Sequence, residues 1–103
     1  MTNIPDAGRQ SAHVLLDAVV AWDPEGDGDA NVAAMNLALQ RINAVDGAVT
    51  GDYDEEREHL ALDASNLLGG MIVSTNWLVH RLAEAHRSSP ELVVSDLRRF
   101  LDD

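Results

Sequence analysis

Three side chains in the middle of the chain, Glu56, His59 and Asp63, have the types and spacing of a divalent-metal site. On a helix turning 100° per residue they project from neighbouring turns within an arc of about 60°. Carboxylate, imidazole and carboxylate form a donor set that suits iron, manganese or zinc, so the chemistry they offer is metal storage or redox. The same residues also read as a solvated acidic turn with one surface histidine, because charged triplets fill many helices. A second oxygen-rich run, Asp23 to Asn31, offers Asp23, Glu25, Asp27, Asp29 and Asn31 in alternation with proline, glycine and alanine. The other histidines do less. His13 with Asp17 and His80 with Glu84 have the i, i+4 spacing of helix-surface pairs, and His86 lies where an imidazolium favours the carboxyl end of a helix.

The Glu-x-x-His spacing of Glu56 and His59 resembles half of the ligand set of ferritin-like di-iron bundles. That resemblance implies a second such motif and two further glutamates. The chain has no second motif, and its first helix offers only Asp17, so dimer symmetry would have to complete the set. The run from Asp23 resembles an EF-hand loop, with acids at positions 1, 3 and 5, glycine at 6 and a side-chain oxygen at 9. Position 12 departs: Ala34 stands where the bidentate glutamate belongs, which removes two of the oxygens calcium needs. The run Leu82 to Arg99 resembles a helix-turn-helix with a Ser-Pro-Glu turn. Arg87 and Ser88 replace the turn glycine and the apolar residue after it, and an ordinary packing hairpin explains the same pattern.

Composition narrows the chemistry further. The 103 residues contain no cysteine, which excludes disulfides, thiolate metal sites and cysteine nucleophiles. All seven basic residues are arginine, so Schiff-base lysines and P-loops are excluded as well. No glycine-flanked serine is present, and an enzyme is the less favoured reading. Missing lysine beside abundant alanine, valine and aspartate fits a GC-rich genome, an actinobacterial one being the expectation. A net charge of −11 opposes nucleic acid and anionic lipid, since those partners are polyanions. The charge is uneven: residues 1–77 carry 3 Arg against 13 acids, whereas residues 78–103 carry 4 Arg against 5. The amino-terminal residues lack the basic and apolar regions of a signal sequence, and the longest run of apolar or glycine residues, seven from Leu67 to Val73, falls far below the ~20 of a membrane span. A cytoplasmic protein that binds neither nucleic acid nor membrane is expected.

The elements that must position these residues read as helices. Val14, Leu15, Ala18, Val19 and Trp22 share one arc of a helix over about 7–22, and Pro24 with two glycines ends it. Val32, Met35, Ala38, Leu39, Ile42 and Val45 share a face over about 30–45, capped by Asp29 or Asn31. Asp52 and Glu55 have capping-box spacing and predict a third helix over about 53–86, roughly 50 Å long. Ser89-Pro90-Glu91 opens a fourth over about 90–102, with Val93, Val94, Leu97, Phe100 and Leu101 on one face.

The third helix carries a second apolar stripe, Leu62, Gly69, Val73 and Trp77, within an arc of about 80° opposite its core face. Two readings stand. Either Gly69-Gly70 kinks the helix so that its halves pack on each other, or the stripe crosses a second copy of the chain, with Trp77 as the interface anchor. The tryptophan favours the second. The expectation is therefore an all-α single domain, 1–103: a four-helix up-and-down bundle with a long, Gly-Gly-interrupted third helix, completed by dimerisation. Its function would be that of a small acidic interaction or accessory protein acting through self-association and contact with other proteins. The alternative is a divalent-metal bundle using Glu56, His59 and Asp63.

Overall fold

The computed structural model describes residues 4–103; residues 1–3, the start of the amino-terminal segment expected to lack a signal sequence, lie outside the described residues. Four helices form: α1 (Asp6–Ala21), α2 (Gly28–Asn43), α3 (Ser65–Ala85) and α4 (Pro90–Asp102). Between α2 and α3 lie two strands, β1 (Thr50–Asp54) and β2 (His59–Asp63). The protein is thus mostly helical with a small sheet, and the all-α expectation is corrected at residues 50–63.

The hairpin has a local physical cause. A helix starting near residue 53 would set Asp52 beside Glu56 and Asp54 beside Glu58 at i, i+4, and such like-charge pairs oppose a helix. The strands separate these acids. Asp54 pairs with His59, Asp52 with Ala61 and Thr50 with Asp63, while Tyr53 faces Leu60 and Gly51 faces Leu62 in an antiparallel register. Leu60 and Leu62 lie over Gly51, so one face collects the apolar side chains, and the alternation His59-Leu60-Ala61-Leu62-Asp63 has the period of two that a strand requires. The expected capping box is replaced by a turn in which the Asp54 carboxylate accepts from the Glu56 and Arg57 amides at 3.0 and 3.4 Å, with Glu58 closing the turn at φ 49°.

The described chain divides into two compact units, the first ending at Met71 and the second being Ile72–Asp103, with the boundary inside α3. In the first, α1 packs on α2 around buried Val14, Ala38, Ile42 and Ala48, with Leu15, Ala18, Val45 and Leu67 against them. The loop between the two helices is clamped by Asn31, whose Oδ1 accepts from the Asp23 amide at 3.0 Å and whose amide nitrogen donates to the Asp23 carbonyl at 2.7 Å. Arg41 donates to Asp17 across the helix pair at 2.9 Å. The start of α3 meets α1 at two glycines: a Cβ on Gly70 would fall on the Gly8 carbonyl. Gly70 therefore makes a close crossing within one chain, which the readings of a kink or of a second copy did not include. Helix α3 continues through both glycines, and Gly69 faces open space. Gly47, at φ 84°, turns the chain after α2, and its carbonyl accepts from the Asn66 side-chain amide at 2.8 Å.

The second unit is the carboxyl half of α3 joined to α4. Arg87 takes a left-handed φ of 51°, and the Ser88 amide donates back to the Ala83 carbonyl at 2.8 Å, which closes α3 in the manner of a Schellman cap. Ser89 then caps α4: its hydroxyl accepts from the Leu92 amide at 3.2 Å, and Pro90 opens the helix.

Candidate functional site

The three metal-type residues do not share a helix face. Glu56 lies in the hairpin turn, His59 opens β2 and Asp63 ends it. Four rises along the strand separate the last two by about 13 Å at 3.3 Å per residue. Asp63 is already engaged, because its carboxylate accepts from both the amide and the hydroxyl of Ser65 as α3 begins. The hydroxyl bond first, and then the amide bond, hold its carboxyl below the ordinary aspartate value. Its role in this arrangement is to start α3. Among the described residues no group of three histidines, cysteines or acids is assembled for a metal ion, and the helical premise of the Glu56, His59, Asp63 grouping is replaced by the hairpin.

The acidic run after α1 serves the backbone too. Asp23 accepts from the Glu25 amide at 2.9 Å, and Asp27 caps α2 by accepting from the Asp29 amide at 3.0 Å. Asp27 is the N-cap, in place of the expected Asp29 or Asn31. His80 lies against the carbonyl of Asn76 at 2.9 Å, a contact within its own helix.

The stripe proposed as an interface also divides. Leu62 belongs to β2, so it leaves the helical arc, and with Gly69 it lies in the first unit. Val73 and Trp77 stay one turn apart on α3 in the second unit. Trp77 is 61% exposed, with the Arg81 guanidinium 5.6 Å from its ring centre and Arg81 itself reaching Glu84. A cation–π contact of this kind at an exposed site contributes about 0.5–1 kcal/mol and leaves most of the indole in water.

Around Trp77 the second unit exposes much more apolar surface than the sequence suggests. Ala83 is its one buried residue. Helix α4 buries none, and Phe100 and Leu101 are 75% and 69% exposed. A groove of about 670 Å³ runs between the helices, walled by Leu78, Val79 and Leu82 of α3 and by Val93 and Leu97 of α4, with His86, Ser88 and Asp96 as polar lining. The spacing places Phe100 and Leu101 on one face of α4 but does not say whether that face is covered. The signal that separates the two readings is the size of the unit: 32 residues are too few to cover such a face. The electrostatics differ as well. The first unit carries 3 Arg against 13 acids and the second 4 Arg against 5 acids, so this apolar surface sits on the nearly neutral part of the chain.

No helix among the described residues is long and apolar enough to cross a membrane. No protein-family model, curated protein or solved structure matches the chain.

Proposed function

We propose that this chain is a small acidic accessory protein that works by protein–protein contact as a homo-oligomer, with Val73 and Trp77 of α3 in the contact face. The observation that carries this reading is a tryptophan 61% exposed, with the Arg81 guanidinium over its ring, on a unit with one buried residue. Rigid aromatic anchors of this kind are the residues on which interfaces concentrate their binding energy. A free protein keeps such a residue in water at a cost that burial in a partner removes.

Replacing Trp77 by alanine tests it. Light scattering of the wild type is expected to give a mass above the 11.1 kDa of one chain, and Trp77→Ala to lower it. A wild-type mass equal to one chain, or a Trp77→Ala mass equal to the wild type, would remove this face from the account.

A further inference from the structure

We infer that the hairpin of α3 and α4 is a self-association module: two copies of the second unit pair to form a four-helix bundle, Phe100 and Leu101 of each entering the groove of the other. This rests on the reading of the chain as a homo-oligomer and names the surface and the occupant.

Four observations converge on a second copy. The unit has 32 residues, below the ~40 at which domains ordinarily need oligomerisation or staples, and the chain has no cysteine to supply a staple. It is the part of the molecule where like meets like without penalty. Two first units would bring a charge of −10 against −10, whereas two second units bring −1 against −1. Helix α4 is self-complementary in the sense a two-fold axis demands, because its Val93 and Leu97 wall the groove while its Phe100 stands out from the same face. At 100° per residue, Val93, Leu97 and Phe100 lie within an arc of about 60°, and Arg98, Arg99 and Asp102 lie on the opposite side.

The available area also fits. A stable interface takes about 800 Å² from each partner. Phe100, 75% exposed, offers about 150 Å². Five further exposed aliphatic residues on the groove side, Ile72, Leu78, Leu82, Leu97 and Leu101, bring the apolar area to the order required.

Sedimentation equilibrium of the full chain tests the module with Phe100→Asp, Leu97→Asp and Trp77→Ala beside the wild type. Because Phe100 stands in solvent in the single chain, its substitution leaves the protomer's own packing intact, and a far-UV circular dichroism spectrum equal to that of the wild type at the same dilution, where both are monomeric, checks this. The expected result is a wild-type dimer whose dissociation constant rises by ~30-fold or more in Phe100→Asp, with Leu97→Asp moving in the same direction. A wild-type dimer weakened by Trp77→Ala but untouched by both α4 substitutions would overturn the hairpin pairing and keep the homo-oligomer. A monomeric wild type at every concentration would overturn both, and the apolar face would then belong to another partner or to the rest of the same chain.

Discussion

In the first unit Val14 and Ile42 are 6% and 5% exposed, whereas in the second Phe100 and Leu101 stand 75% and 69% in solvent, although all four belong to amphipathic helices. The difference lies in what each helix has to pack against. Helix α1 meets α2 and the first turns of α3, brought close by Gly8 and Gly70, and three surfaces enclose a small core, while Val19 and Val20 of α1 and Val32, Met35 and Leu39 of α2 stay in solvent. Helix α4 shares a hairpin with the carboxyl half of α3, and two helices leave a groove where a third and fourth would lie. An apolar face is therefore a core only when the chain supplies enough surface to cover it. Otherwise it stays in solvent.

The largest expected effect falls on the enclosed side. Ile42→Ala opens a cavity in the core of the first unit and is expected to cost about 3 kcal/mol in urea unfolding followed by circular dichroism. Leu97→Ala, of similar chemistry but on the open groove, is expected to cost under 1 kcal/mol in dilute protein and to weaken association instead. Equal losses at both sites in dilute protein would break the contrast. Gly70→Val places a branched side chain on the Gly8 backbone, and forced separation of α1 and α3 is expected to cost about 2 kcal/mol. The same change at Gly69, which faces open space, is expected to be close to neutral. If both glycines accept valine alike, the crossing does not hold the first unit together.

The smallest effect concerns pH. Asp63 has its carboxyl lowered by Ser65, so its bonds to Ser65 favour the folded form where the carboxylate is charged. That contribution is present above the ordinary aspartate value of about 4 and is lost as pH falls through the lower folded value. Nuclear magnetic resonance titration is expected to place Asp63 below the ordinary aspartate value, and Asp63→Asn is expected to remove that part of the acid dependence. An Asp63 midpoint at or above the ordinary value would show that Ser65 does not hold it.

Much of this contrast is legible in the residues, and the limits have physical causes. Pro24 stops α1 close to where its spacing predicts, and Ser89-Pro90 starts α4 at the expected residue, because caps and prolines act through their immediate neighbours. The hairpin was missed because strand pairing joins Thr50 to Asp63, partners that no local period connects, while Leu60, Ala64 and Leu67 satisfy a helical spacing by coincidence. The metal triad was read on that helix, where a turn of 100° per residue brings Glu56, His59 and Asp63 to one face; in the hairpin Glu56 lies in the turn and His59 and Asp63 at the two ends of β2. Of the proposed contact stripe, Val73 and Trp77 retained their helix and Leu62 did not. Phe100 and Leu101 were on the right face of the right helix, but spacing alone does not say whether a face is covered.

Amide hydrogen exchange over a dilution series tests the central claim most directly, because it reports each helix separately. Amides of α4 are expected to lose protection as the protein is diluted through its association range, while those of α1 and α2 keep theirs. Protection of α4 that does not change with concentration would contradict the account, since the second unit would then be complete within a single chain.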